Sequence, residues 1–254
     1  MVTRLGRLVA LPALVLTALL ALPAGPAGAA GTADGPQFEA PSIGDCHVLT
    51  PRQAGGRSDS TAPVPCRQSH TARTVAVTYL PKKQDWGITD IQLFKLVLHR
   101  CYPDWAKTVG QDFATRHLSA YDYIWFVPGK TQRAHGARWI RCDAVLWAGR
   151  KLGALPTDRV PALRSTTVPD NQARCLQAKT FYTTTCDRGH ALRATGTFAV
   201  ASTRFPGKAA LTKLANRRCP DLVSSREFTF TWRDKLTWRI GGDHTVVCYS
   251  QTSS

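Results

Sequence analysis

Two Cys-x3-His segments carry the most chemical potential in the chain: Cys66 precedes His70, and Cys186 precedes His190. A thiolate and an imidazole at that spacing could ligate zinc or pair as nucleophile and base. The favoured reading is a disulfide cysteine followed by a histidine that caps a turn or hydrogen-bonds at the start of a strand. A zinc site calls for a second close pair such as Cys-x2-Cys, which is absent, and Cys46-His47 offers adjacent ligands only. Asp243-His244 is the most enzyme-like dipeptide, although in a turn before a strand it is an ordinary pair. The hydrolase signatures G-x-S-x-G, S-x-x-K and H-E-x-x-H do not occur. Glu is found only at Glu39 and Glu227, so a glycosidase-type acid and base would have to be two Asp. The expectation is therefore no catalytic, cofactor-binding or metal residue.

These residues sit in a chain whose N-terminus reads as an export signal. Arg4 and Arg7 form a basic start, 8–22 is apolar and uncharged, Pro23 and Pro26 break the run, and Ala27-Gly28-Ala29 is a cleavage signal. At 1.5 Å per residue the run reaches about 22 Å, short of the roughly 30 Å of a bilayer core. Residues 1–29 are thus expected to be a signal peptide, with an uncleaved anchor as the alternative, and the protein to be secreted or held at the cell surface. Outside the cytosol thiols oxidise. The eight cysteines, Cys46, Cys66, Cys101, Cys142, Cys175, Cys186, Cys219 and Cys248, then read first as disulfides.

The positioning elements repeat. After an N-terminal linker (30–41), a first four-cysteine module (42–150) and a second (171–254) flank a linker rich in proline and turn residues (151–170) that holds Pro156, Pro161 and Pro169. Each Cys-x3-His leads into a strand, 74–80 and 192–200. A helix bearing the third cysteine follows. In the first module Ile91, Phe94, Leu98, Cys101 and Trp105 are spaced as one buried helix face. Leu211, Leu214 and Cys219 keep the period more weakly. Pro103 and Pro220 are expected to disturb or end these helices. Strands at 121–127 and 139–147, and at 227–232 and 244–250, close the modules. Both end on G-x5-C, from Gly136 to Cys142 and from Gly242 to Cys248. The fold expected is α+β: two tandem β-β-α-β-β modules, each an antiparallel sheet on one helix, stapled by disulfides. Four cysteines allow three pairings per module. The favoured one joins first to second, which are near in sequence, and third to fourth, which staples the helix to the last strand.

These residues resemble the actinobacterial septum formation domain family, in tandem copies. Gly44-Asp45-Cys46 is similar to its opening motif. Val64-Pro65-Cys66 with His70 is similar to its second cysteine, and Phe126-Val127-Pro128 with Gly136 to Asp143 to its closing segment. The likeness is good over 42–149 and holds in outline over 171–254. Departures are visible. Arg133 stands where the family has Trp, while Trp238 keeps one in the second module. Ala137 replaces the Asp that Asp243 preserves, and Ala173-Arg174 precedes Cys175 instead of Gly-Asp. The resemblance implies a secreted or membrane-anchored protein of the envelope or division septum, with no catalytic residues to carry over.

Composition adds a charge argument. The chain of 254 residues holds 33 Lys+Arg against 17 Asp+Glu, a formal +16, and the surplus is concentrated in the second module. Arg clamps phosphates and carboxylates, so an anionic envelope polymer is a candidate partner; with no basic run and no nucleic-acid motif, nucleic acid is not expected. Seven Trp could build a carbohydrate platform, but most fall in the helix face or strands and read as core, with Trp86 beside Gly87 the best candidate for exposure. The function expected is a non-catalytic binding or scaffold protein of the cell envelope, its partner an envelope polymer or envelope protein. The alternatives are a cell-wall-modifying enzyme and a basic polyanion-binding protein.

Overall fold

The computed structural model describes residues 34–252 except 111, 164 and 166. The export signal expected at 1–29 lies outside the described residues. In the first module β1 (Cys46–His47), α1 (Pro51–Ala54), β2 (Ala72–Tyr79), α2 (Asp90–Val109), α3 (Phe113–His117), β3 (Tyr121–Phe126), α4 (Lys130–Ala134) and β4 (Trp139–Ala148) follow in order, and β5 (Lys151–Leu152) turns back on β4. In the second, β6 (Arg174–Leu176), β7 (Thr183–Thr185), β8 (Leu192–Ala199), α5 (Lys208–Arg218), β9 (Phe228–Trp232), α6 (Lys235–Gly241) and β10 (Thr245–Gln251) follow.

The fold is α+β with two antiparallel sheets. The first is ordered β1-β2-β4-β3 and the second β7-β6-β8-β10-β9. Apart from β5 and β7, the orders coincide. So does an irregularity: the register skips Val75 in β2 opposite Cys142 and Asp143, and skips Thr195 in β8 opposite Cys248 and Tyr249. Each skip is a bulge that bends the strand at the disulfide-bearing position of its neighbour. The G-x5-C motif has a conformational basis too, since Gly136 and Gly242 take φ of +86° and +65°, a region unfavourable to other residues. Each follows a short helix, α4 or α6, that the expected β-β-α-β-β pattern did not include. Five and seven residues are too few to show a helical period.

Helix α2 starts on a capping box, Thr89 accepting from the Gln92 backbone and Gln92 reaching back to Thr89. Its buried stripe is Leu93, Val97, Cys101, Trp105 and Val109, four residues apart throughout. This corrects the expected face: Leu98, Cys101 and Trp105 are buried, but Ile91 is 53% exposed and Phe94 only half-buried. The helix also runs through Pro103. Pro103 and His99, whose carbonyl loses its donor, both lie on the exposed side, where water can replace the bond. Pro220 does end its helix, in a 3-10 turn at Cys219–Asp221.

All eight cysteines are paired: Cys46–Cys66, Cys101–Cys142, Cys175–Cys186 and Cys219–Cys248. The second and fourth bridges tie α2 to β4 and the end of α5 to β10. Strand β4 is buried along its first eight residues. Trp139 and Trp238 are fully buried core residues. Trp86 is half-buried rather than free, its Nε1 donating to the Ala137 carbonyl at 2.9 Å and the Arg133 guanidinium lying over its ring. The proline-rich joining segment packs against its surroundings: Leu155 and Val168 are buried, Leu155 N–H donates to the His70 carbonyl, and Leu163 N–H donates to the Val109 carbonyl.

Candidate functional site

Both Cys-x3-His segments have the same local geometry. His70 Nδ1 lies 2.8 Å from the Gln68 carbonyl and His190 Nδ1 lies 2.7 Å from the Arg188 carbonyl. A carbonyl can only accept, so Nδ1–H donates in each. The preceding cysteines, Cys66 and Cys186, are in disulfides. His190 does lie close to Cys175 and Cys186, with ligand atoms mutually within 4.8 Å. Those two sulfurs, however, are bonded to each other, and a metal binds the thiolate. The arrangement built is a hydrogen-bonded turn before a strand, with the turn fixed by the bridge.

Asp243 and His244, adjacent in sequence, part company in the fold. His244 stacks on Trp238 at 4.9 Å and its Nε2 meets the Trp238 carbonyl at 3.0 Å. Asp243 faces the other module. Its Oδ1 is 3.4 Å from His117 Nε2, and its Oδ2 accepts from Arg233 Nε at 3.1 Å. Burial alone would raise the Asp243 pKa, but His117 and Arg233 outweigh it and hold the carboxylate well below its usual range. Burial lowers His117, against the pull of Asp243, so at neutral pH His117 is a neutral donor. Around this point the backbones of the two modules interlock: Ala120 N–H donates to the Gln172 carbonyl, Arg174 N–H to the Leu118 carbonyl, and Arg174 Nε to the Ser119 carbonyl.

Beside the interlock an open groove runs between α2 and β3, with α6 closing one end. Two cavities of about 520 and 320 Å3 share Phe94, Tyr123 and Trp125, so they are continuous. From α2 come Ile91, Phe94, Leu98 and Tyr102, from β3 Tyr123 and Trp125, and from α6 Leu236 and Thr237. Ile91 and Leu236, at 53% and 40% exposure, are apolar side chains left open to solvent at this wall. The rim carries Arg57 bound to Asp90 at 2.6 Å, the Arg233–Asp243 pair, and Asp122 and Asp234. Asp234 caps α6 through Leu236 N–H and Thr237 N–H.

An apolar groove with a few fixed polar groups is a binding site by its physical character. Sequence reasoning missed it because Ile91 and Phe94 have the spacing of a core stripe. The alternating aromatics Tyr121, Tyr123 and Trp125 were the available signal, since alternate residues of a strand share one face.

The basic surplus has a place as well. Helix α5 carries Lys208, Lys213, Arg217 and Arg218 and no acid. The first three are exposed, and Arg218 lies over the Phe198 ring at 4.5 Å. Among the described residues no helix is long and apolar enough to cross a membrane.

A protein-family model described as septum formation matches residues 91–248, one stretch from α2 through Cys248 in β10. No match is found among curated proteins or solved structures.

Proposed function

The chain belongs to the septum formation family, which links it to the septum or the cell envelope, and on that premise we propose that it is an exported, non-catalytic binding or scaffold protein of the envelope. The observation that carries this reading is the open groove between α2 and β3. Its walls are aromatic and aliphatic, and at its rim Asp243 is engaged with His117 and Arg233, and Arg57 with Asp90. A general acid needs a pKa near the working pH, and Asp243 is held in the opposite direction. The disulfides fit an oxidising compartment. The shared strand order and matching bulges support a duplication of one module within the chain.

The test is retention of the exported protein on purified envelopes at low salt. Retention of the folded protein supports the proposal, and recovery of all of it in the unbound fraction overturns it. A second reading, binding of an anionic polymer, is favoured by the acid-free exposed face of α5. It requires retention that falls steeply with salt and is lost on reversing Lys213 and Arg217.

A further inference from the structure

We infer that the groove receives an extended, basic polypeptide segment of an envelope partner, which adds as a strand to the free edge of β3. This rests on the binding reading above and names its partner.

The edge is the first observation. Among the described residues strand β3 ends its sheet and pairs only with β4. In the register of that pair Trp147 N–H donates to the Ala120 carbonyl. Backbone groups alternate in direction along a strand, so Asp122, Ile124 and Phe126 point theirs at β4 while Tyr123 and Trp125 point theirs outward. The outward groups at either side are occupied: Tyr123 N–H by Asp122 Oδ1 at 2.9 Å, and Val127 N–H by the Arg57 carbonyl at 3.0 Å. Between them, the Tyr123 carbonyl and both the N–H and the carbonyl of Trp125 have no backbone or side-chain partner among the described residues. Folded proteins commonly blunt or cover an edge, and here the covering stops at Val127.

The second observation is room. The second half of α2 touches β3, Tyr102 and Trp105 packing on the Tyr123 ring and Trp105 Nε1 donating to the Asp122 carbonyl, but toward the start of the helix Ile91 and Phe94 line the groove together with Tyr123 and Trp125. A strand laid between a helix and a sheet edge is an established mode of peptide recognition. The main chain then supplies hydrogen bonds and alternate side chains enter the groove.

The third is charge. The groove holds four carboxylates (Asp90, Asp122, Asp234, Asp243) against two guanidiniums (Arg57, Arg233), in a chain of formal charge +16. Four carboxylates against two guanidiniums leave the groove two negative charges in surplus; beyond the two ion pairs stand Asp122, which accepts from Tyr123 N–H and lies in the field of Arg233, and Asp234, which caps α6. A strand bearing Lys or Arg complements them. A glycan, the competing occupant, has no N–H and C=O at the two-residue repeat that the β3 edge presents.

The experiment uses the exported protein with its disulfides intact. Panning a random decapeptide library should enrich peptides in which Lys or Arg alternates with apolar residues. An enriched peptide should slow amide exchange at Trp125 at least tenfold, and N-methylating its edge-facing amides should weaken binding at least tenfold. Retention on purified envelopes should vanish after the envelopes are digested with protease. Retention that survives protease and is lost with muramidase would overturn the peptide assignment and leave the envelope role standing. No retention on untreated envelopes would overturn both. An enriched peptide that is acidic, or that leaves Trp125 exchange unchanged, would also overturn the assignment.

Discussion

His117 Nε2 sits 3.4 Å from Asp243 Oδ1, with the histidine at the end of α3 in the first module and the aspartate before β10 in the second. Both side chains are about nine-tenths buried. Asp243 follows Gly242, whereas the first module has Ala137 after Gly136. One position at which the two modules differ is thus a position that joins them.

Replacing Asp243 with Asn should loosen this join. It removes the charge that His117 and Arg233 face, and truncating one member of a buried charged pair costs a few kcal/mol; partial exposure of Arg233 brings the expectation to about 2 kcal/mol. A urea denaturation midpoint measures it. The pH dependence follows from the depressed Asp243 pKa. Its stabilisation is complete above the unfolded value, near 4, and drains away as pH falls below it. Wild type should therefore lose stability more steeply in acid than Asp243→Asn.

Asp143 behaves in the opposite sense. Burial, only partly offset by Arg141, raises its carboxyl to about 6. A carboxyl whose folded value lies above its unfolded one favours the folded state at low pH, and that contribution is lost as pH rises from about 4 through 6. Thermal melts of wild type between those pH values should show this decline. Asp143→Asn should flatten it.

Arg141 lies between two buried carboxylates, 2.8 Å from Asp59 and 3.0 Å from Asp143, with its guanidinium over the Phe126 ring. Arg141→Met should cost about 3–5 kcal/mol by leaving both acids buried without their cation. Arg57→Ala, in an exposed pair with Asp90, should cost less than about 1 kcal/mol. Equal losses by equilibrium denaturation would contradict the burial argument.

Disulfide removal should scale with the loop closed. Cys101–Cys142 spans 41 residues and Cys175–Cys186 spans 11. The loop-entropy account gives about 4 and 3 kcal/mol respectively. Paired Cys→Ala variants compared by denaturation should therefore differ by about 1 kcal/mol, in that order.

Much of this architecture was legible in the sequence. The strands at 72–79, 121–126, 139–148, 192–199, 228–232 and 245–251 announced themselves by β-branched and aromatic runs. The third-cysteine helices did so by their period. The likeness of the two modules was legible in Cys-x3-His and G-x5-C because both motifs encode backbone geometry, a histidine-closed turn and a positive-φ glycine. The groove was not legible. Ile91 and Phe94 have core spacing, and only the placement of Leu93 and Val97 beneath the helix leaves them outside. Asp243 looked like half of an Asp-His pair. Its partner, His117, lies 126 positions away in sequence and is brought to it only by the packing of one module on the other.

The most direct test of the account is envelope retention of a groove variant. Phe94→Ala with Trp125→Ala opens the site and replaces no cysteine, no ion-pair residue and no member of the buried stripe of α2; because Trp125 stands opposite Cys142 in the β3–β4 register and packs on that core, the variant's melt is measured beside its retention. The variant should keep its disulfides and a cooperative melt, and lose envelope retention at least tenfold. A folded variant retained as well as wild type would show that the groove is not where the protein meets the envelope.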